Sequence, residues 1–87
     1  MFRRTKYEIW VEILEICLNT PHHQSFILHS LGSKTELVKN ALDYLLSREL
    51  ISEMNTDEQK WVSYQTTLKG KQALSQFYDL ITKFFSP

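Results

Sequence analysis

Few side chains in this sequence are of the types that carry out chemistry, and their spacing argues against a metal or redox site. The three histidines, His22, His23 and His29, have no Cys-x-x-Cys pair and no carboxylates at ligand spacing beside them. His22 and His23 are adjacent, so on a helix they would point in different directions. Cys17 is the only cysteine, which excludes an intrachain disulfide and a cysteine-rich zinc ribbon. We expect surface histidines, no metal site, and a Cys17 thiol that packs as a small hydrophobic group.

No arrangement typical of catalysis is present in the sequence. It contains no glycine-rich phosphate loop, no nucleophile elbow and no pair of carboxylates that periodicity would place in a cleft. Glu8, Glu12 and Glu15 fall on one narrow helical face, which indicates a solvent-facing acidic stripe. We therefore expect that the chain is not an enzyme and needs no cofactor.

The basic residues are the remaining candidates for binding, and the charge balance bears on what they bind. Ten basic and ten acidic residues give a formal net charge of zero, whereas most nucleic-acid-binding proteins have a basic excess that neutralises phosphates. The densest basic cluster is Arg3, Arg4 and Lys6. As a flexible arm it could contact phosphates without reading sequence; as an ordinary charged terminus it would only aid solubility. The sequence leaves both interpretations open.

Length and composition predict one small globular domain over residues 1–87. The chain is 43% hydrophobic and 13% aromatic, with only two glycines and two prolines. Domains of this size bury about two thirds of the surface that their unfolded chain exposes, so association is a common source of added stability. No segment fits a signal peptide or a membrane span, because acidic residues interrupt the apolar stretch near the N-terminus. We expect a cytoplasmic protein.

The first predicted helix covers residues 6–18. Thr5 followed by Glu8 is a capping-box pattern that begins it. One of its sides carries Ile9, Trp10, Ile13, Ile16 and Cys17, and another carries Tyr7, Val11, Leu14 and Leu18. A surface helix needs only one apolar stripe, so the second side indicates a contact beyond the core of one domain.

Two further helices are predicted over residues 22–31 and 34–48, after a proline-containing break. Gly32 ends the first of these, because glycine accepts the left-handed conformation that follows a helix C-terminus. Ser33 and Glu36 form a second capping-box pattern. The residues expected to point inward are Phe26, Ile27, Leu31, Leu37, Val38, Ala41, Leu42, Tyr44, Leu45 and Leu46.

The second half of the chain predicts a β-hairpin, or wing, over residues 50–66 and then a long helix over 67–85. Two short runs with strand character flank a polar, turn-prone loop, and Thr67 is a good N-cap for the helix. The apolar residues of this helix fill one arc about 160° wide at 100° per residue. That arc is broader than packing on one small core requires, so it is a candidate association surface.

The order helix, helix, helix, hairpin, helix matches a mainly α, winged helix-turn-helix fold, and several strings resemble one family with this fold. They are Arg3-Arg4-Thr5 with Glu8-Ile9 and Ile13-Leu14-Glu15, Leu42-Asp43-Tyr44-Leu45-Leu46 with Leu50-Ile51, and Tyr64-Gln65-Thr66-Thr67-Leu68-Lys69-Gly70 with Leu74 and Tyr78. The chain thus resembles the small archaeal winged-helix regulators, which include dimeric DNA-binding proteins with an extended C-terminal helix.

The Tyr-x-x-Thr-x-x-Gly junction is the most specific part of this resemblance. In it, Thr67 caps the last helix and Gly70 permits a close approach to neighbouring backbone. The chain departs from the family at Gly32, where such proteins often carry an aliphatic residue, and at Glu49, where they often carry glycine.

The resemblance implies that the third helix enters the major groove of DNA with its N-terminal residues toward the base edges. The candidate contacts on it are Lys34, Thr35, Lys39 and Asn40. Lysine suits guanine or phosphate, and asparagine can pair with adenine. In the wing, Lys60 is the candidate phosphate contact, although Asp57 and Glu58 favour a purely structural wing. An ordinary solvated face is the alternative for the helix, since Glu36 and Asp43 lie on it and repel phosphates.

The apolar excess of the first and last helices predicts a dimer interface. The residues expected there are Tyr7, Val11, Leu14, Tyr78, Ile81, Phe84 and Phe85. Two functions stay open at this stage. One is a homodimeric, DNA-binding regulator of transcription, and the other is a protein–protein interaction module on the same scaffold, which the zero net charge and the acidic wing tip favour.

Overall fold

The computed structural model describes residues 5–55 and 62–85, which form four helices and a three-stranded sheet. The helices are α1 (Lys6–Ile16), α2 (Gln24–Leu31), α3 (Thr35–Ser47) and α4 (Leu68–Phe84). The strands are β1 (His22–His23), β2 (Ile51–Met54) and β3 (Ser63–Thr66). The predicted order of three helices, a hairpin and a final helix is confirmed, and each helix boundary lies within two residues of its predicted position.

The prediction that His22 and His23 begin a helix was wrong, because these residues form β1. This strand pairs antiparallel with β3, so that His22 lies opposite Tyr64 and His23 opposite Ser63. The antiparallel sheet therefore has the order β1-β3-β2. A strand of two residues has no periodicity that a sequence could reveal; its backbone groups gain partners only once the hairpin lies beside it.

At the ends of the first three helices, two of the predicted end signals are confirmed and a third is not. Thr5 caps α1: its hydroxyl accepts a hydrogen bond from the Glu8 backbone N–H at 3.2 Å. Gly32 ends α2 in the left-handed conformation, with φ 64°. The second capping box is not formed, since α3 begins one residue later than predicted, with Lys34 as its N-cap and no side-chain capping bond. The Ser33 pattern was therefore misleading.

The core lies where α1, α2 and α3 meet, and β2 and the first turns of α4 close it. Its buried apolar residues are Ile9, Ile13, Leu14, Cys17, Ile27, Leu31, Val38, Ala41, Leu42, Leu45, Ile51 and Leu74. Burial of Cys17 is confirmed. Desolvation raises the pKa of its thiol to about 11, although a backbone hydrogen bond with His22 acts in the opposite direction. A thiol that stays protonated suits a packing role.

Two residues that the periodicity placed inward are exposed. Phe26 is 44% exposed and stacks on His22 with the ring centroids 4.0 Å apart, because β1 brings that ring beside the first turn of α2. Leu37 is 50% exposed. It lies at the margin of the apolar arc of α3, and the stacked rings of Trp10 and Tyr44, 4.1 Å apart, form part of the contact between α1 and α3.

The start of α4 is fixed by the junction that the sequence singled out. The Thr67 hydroxyl accepts a hydrogen bond from the Gly70 N–H at 3.0 Å and donates one to the Glu49 carbonyl at 2.7 Å. A Cβ at Gly70 would overlap the Leu50 carbonyl oxygen and the methyl group of Thr66. The predicted close approach at Gly70 is thus confirmed, and it joins α4 to the end of α3 and to β3.

The rest of α4 runs away from the core. Gly70 and Leu74 are its buried residues. The apolar residues exposed on its second half are Tyr78, Leu80, Ile81, Phe84 and Phe85. A helix long and apolar enough to cross a membrane is not found in the part of the chain that the structure describes.

Candidate nucleic-acid interface

α3 presents a polar face whose orientation is set by the core on its other side. Val38, Ala41, Leu42 and Leu45 are at most 5% exposed and hold the helix against its neighbours. The exposed polar residues opposite them are Thr35, Glu36, Lys39, Asn40, Asp43 and Ser47, with Lys34 just before the helix. All four contacts predicted on this helix therefore lie together on accessible surface.

The charges on this face are mixed along the helix axis, since Asp43 lies one turn beyond Lys39. Lys34 and Lys39 lie in the N-terminal half, where the exposed backbone N–H groups add positive potential. Asp43 lies eight residues beyond the first residue of α3, which is about 12 Å along the axis. Burial, followed by the charges of Glu53 and Asp43, raises the pKa of Tyr64 on β3. The Asp43 carboxylate therefore acts on Tyr64 of the sheet, and it also lies one turn from Lys39 on the same face.

Glu36 is a second acidic residue near the two lysines. It lies in the first turn of α3, where the helix dipole favours a negative charge. A glutamate on this face can also accept a hydrogen bond from the amino group of cytosine. The Glu36 carboxylate therefore repels phosphates near the start of α3. It is compatible, however, with a contact to a base edge.

An edge of this face carries apolar and aromatic groups that the sequence did not reveal. Leu37 and Asn40 line a shallow cavity of about 330 Å³ between α1 and α3, together with Trp10 and Tyr44. The Lys6 ammonium lies over this edge, 6.0 Å from the centroid of the Trp10 ring. Periodicity placed Leu37 in the core because the residue lies just inside the apolar arc of α3. That marginal position was the one sequence feature that could have indicated its exposure.

A further cation lies at the C-terminal end of α3. The Arg48 guanidinium is 5.0 Å from the centroid of the Tyr44 ring, and Arg48 is exposed. It was not among the predicted contacts. Arg3, Arg4 and Lys60 lie outside the described residues, 5–55 and 62–85, so their contact with phosphate stays a prediction.

The residues predicted for a dimer interface divide into two groups. Tyr7, Tyr78, Ile81, Phe84 and Phe85 are exposed. Val11, in contrast, is half-buried against the core, and Leu14 is 4% exposed, with its side chain directed at Gly70. The expectation that Leu14 offers surface for a partner is therefore corrected: the first turns of α4 already cover it.

Tyr78 lies where α4 begins to separate from α1. Partial desolvation, followed by a hydrogen bond to the Glu15 carboxylate and its charge, raises the pKa of the Tyr78 phenol. The acidic stripe of α1 is thus not wholly solvent-facing, since Glu15 meets α4 and Glu12 is half-buried.

The histidines are dispersed in the structure. Within residues 5–55 and 62–85, no group of three or more His, Cys, Asp and Glu side chains could hold a metal ion. His22 stacks on Phe26, and His23 lines a separate cavity of about 310 Å³ beside Tyr64.

Comparison with known proteins gives one family match. The sequence model of the winged helix-turn-helix family matches residues 3–84, which is nearly the whole chain. No curated protein matches the chain by sequence. The narrower resemblance to archaeal regulators stays a prediction.

Solved structures provide neighbours with the same fold. The transcriptional regulator BldR from Sulfolobus solfataricus is 18% identical, with a TM-score of 0.74 and coverage of 86% of this chain and 58% of its own. A PadR family transcription regulator from Clostridium difficile is 19% identical, with a TM-score of 0.70 and coverage of 90% and 98%. A MarR variant from E. coli complexed with operator DNA is 15% identical, with a TM-score of 0.72 and coverage of 92% and 56%.

These identities show a shared fold and no more. The chain spans somewhat under six tenths of the BldR and MarR chains, 58% and 56% respectively. What those proteins bind is therefore not transferred to this chain by likeness alone.

Proposed function

We propose, from the premise that the chain belongs to the winged helix-turn-helix family, that it binds double-stranded DNA and regulates transcription. The observation that carries the proposal is the exposed polar face of α3, with Lys34, Thr35, Lys39 and Asn40 accessible together on a helix whose other face is locked in the core. Two of the neighbours are named as transcription regulators, and a third is a complex with operator DNA. α3 lies in the major groove, its N-terminal turns toward the bases.

The contacts divide into those that position the protein and those that specify a sequence. Lys34 and Lys39 bind phosphate or the acceptor atoms of guanine, and Asn40 pairs with adenine. Arg3, Arg4 and Lys60 are further phosphate contacts in this proposal. Because the formal net charge is zero, long-range attraction is weak, and base contacts must supply a larger share of the affinity.

DNA binding is tested by titrating mixed-sequence duplex DNA across a salt series. We expect binding at low salt that weakens as salt increases, because each neutralised phosphate releases counterions. Lys39→Ala should lower the affinity for all sequences and reduce the slope against log salt by about one. Lys83→Ala, an exposed lysine in the last turn of α4, is the matched control and should leave the slope unchanged. No binding even at the lowest salt contradicts the proposal.

We also propose that the chain is a homodimer that associates through the second half of α4. Phe84 and Phe85 are 72% and 71% exposed, and Tyr78 and Ile81 lie on the same apolar arc. Burial of apolar surface is worth about 25 cal/mol per Å², so two such arcs facing each other provide a driving force. A two-fold dimer also presents two α3 helices to two half-sites of DNA.

Dimerisation is tested by sedimentation equilibrium over a concentration series. The wild-type mass should approach twice the chain mass at high concentration, and the double variant Phe84→Ser with Phe85→Ser should shift the transition to higher concentration. Because both rings are exposed, the thermal midpoint measured under monomeric conditions should change little. If the wild type is a monomer at high micromolar concentration, the homodimer is contradicted. The proposal of DNA binding is not affected by that result.

A protein–protein interaction module is the second candidate function. The exposed carboxylates of Glu36 and Asp43 on α3 and the apolar surface of α4 favour it. A chain that associates through α4 but binds no duplex DNA at low salt would support this candidate over the first.

A further inference from the structure

Leu37 is an exposed apolar residue at the edge of the polar α3 face that carries the proposed DNA contacts. It is the third residue of α3, in the turn that a helix-turn-helix presents to base edges, and it is 50% exposed. Asn40, one turn further on, lines the same shallow cavity. An aliphatic side chain at this position adds nothing to phosphate binding, because it carries neither charge nor a hydrogen-bond donor.

We propose that Leu37 determines sequence specificity by packing against the C5-methyl group of a thymine in the major groove. The inference rests on the proposed DNA binding and deepens it. Thymine is the one base with a methyl group on its major-groove edge. Against any other base, the leucine would cover polar edge atoms and return no hydrogen bond, which costs free energy.

The spacing of Leu37 and Asn40 on α3 determines how far apart along the DNA the two base pairs that they contact must lie. Residues three apart on a helix are displaced by about 4.5 Å along the axis, whereas successive base pairs are displaced by about 3.4 Å. The thymine at Leu37 therefore lies about one base-pair step from the adenine at Asn40. The half-site that α3 recognises contains two neighbouring A·T pairs.

The surroundings of Leu37 support a DNA contact over a protein contact. Leu37 lines the same cavity as Trp10 and Tyr44, whose rings stack with their centroids 4.1 Å apart. Beside it on the helix surface lie Lys34 and Asn40, three residues before and after it and both exposed, whose charge and amide match a polyanion with base edges. A protein partner at this edge is the alternative outcome of the test.

The test uses the full chain and duplexes selected by it from a random library. We expect selected sites to share two adjacent A·T pairs. Replacing the thymines of a selected site one at a time by deoxyuridine removes only the C5-methyl group. At one position this should weaken wild-type binding about three- to fivefold, which is the effect of losing one buried methyl group.

Three variants make the test specific to Leu37. Leu37→Ala should bind the thymine site about as weakly as the wild type binds the deoxyuridine site, and should lose the difference between the two. Leu37→Met keeps an apolar contact and should retain part of that difference. Leu68→Ala removes a more exposed leucine, 72%, from the first turn of α4, outside the proposed dimer interface, and should retain all of it. Thermal midpoints of the variants close to that of the wild type exclude misfolding.

The outcomes separate this inference from the function on which it rests. Equal binding to thymine and deoxyuridine at every position, with Leu37→Ala unchanged, overturns the role of Leu37 while DNA binding stands. Absence of any selected or low-salt DNA binding overturns both proposals. A Leu37→Ala variant that weakens capture of a protein partner without changing DNA binding assigns this edge to that partner and overturns the inference.

Discussion

α3 and α4 are both amphipathic helices with a single apolar arc, yet the fold uses their arcs differently. In α3 the arc is covered: Val38, Ala41, Leu42 and Leu45 are at most 5% exposed. In α4 Leu74 is the last buried residue, Phe77 is half-buried, and the apolar residues from 78 to 85 are between 41% and 72% exposed. α3 lies between α1, α2 and β2, whereas α4 meets α1 and β3 mainly through its first turns. Periodicity identifies the apolar side of a helix, and tertiary position decides what covers it.

The two helices consequently offer surfaces of opposite chemistry. α3 turns its polar side outward, which suits a charged and hydrated partner such as DNA. α4 turns apolar surface outward, which suits a partner that excludes water. Binding through α3 should weaken with salt, whereas association through α4 should depend little on salt.

The largest expected effect comes from truncating one leucine on each helix. Leu45→Ala on α3 should lower the free energy of unfolding by about 2–5 kcal/mol, because the side chain is fully buried and leaves a cavity. Leu80→Ala on α4 should change it by less than about 0.5 kcal/mol. Urea denaturation at a concentration where the chain is monomeric measures both. A loss at Leu80 comparable to that at Leu45 would mean that the end of α4 is covered within one chain.

The next effect concerns the anchor of α4. Gly70→Ala should lower the free energy of unfolding by about 1–3 kcal/mol, because the added Cβ meets the Leu50 carbonyl and the Thr66 methyl group. In an exposed helix the same change stabilises by about 1 kcal/mol, so the sign itself is diagnostic. Ser75→Ala, at an exposed position of α4, is the control and should be neutral or slightly stabilising. A stabilising Gly70→Ala would show that α4 can shift away from the hairpin at little cost.

This junction was predictable from sequence because its causes are local. Thr67 and Gly70 are three residues apart, and a capping hydroxyl needs only the N–H groups of the next turn. β1 was not predictable, because two residues become a strand only when β3 lies beside them.

The exposure of each predicted site residue was less predictable than the helices themselves. The exposures of Leu37 and Leu14 are the reverse of those expected. Leu37 is exposed at the edge of α3, and Leu14 is covered by α4. Both depend on how neighbouring helices cross, which the sequence pattern of a single helix does not contain. The polar face of α3 was predictable because it is opposite a clear apolar arc.

A smaller effect is expected from removing the cap itself. Thr67→Ala deletes the hydrogen bond from the Gly70 N–H and the one to the Glu49 carbonyl, and should cost about 1–2 kcal/mol. Thr67→Ser restores the hydroxyl and should recover most of that loss. Thr5→Ala removes the corresponding cap of α1, where the bonds are exposed and 3.2 Å long, and should cost less. Equal losses at the two caps would indicate that the bond to Glu49 contributes nothing.

The smallest effect lies at the end of α3, where the chain turns toward the hairpin. Glu49 has φ 62°, almost the same as the 64° of Gly32 at the end of α2, although only glycine adopts this region without strain. Glu49→Gly relieves about 1–2 kcal/mol of strain and loses about 0.4–1 kcal/mol through the freer unfolded chain. A net stabilisation of about 0.5–1 kcal/mol is therefore expected in urea denaturation.

Gly32→Ala is the inverse of that change and should destabilise by a similar amount, since nothing crowds its side-chain position and only the backbone conformation opposes it. The hydrogen bond from Thr67 reaches the Glu49 carbonyl rather than its side chain, so Glu49→Gly keeps the link between α3 and α4. If Glu49→Gly destabilised the protein, the glutamate side chain itself would have to hold this turn, and the joint between the two helices would depend on charge as well as on backbone geometry.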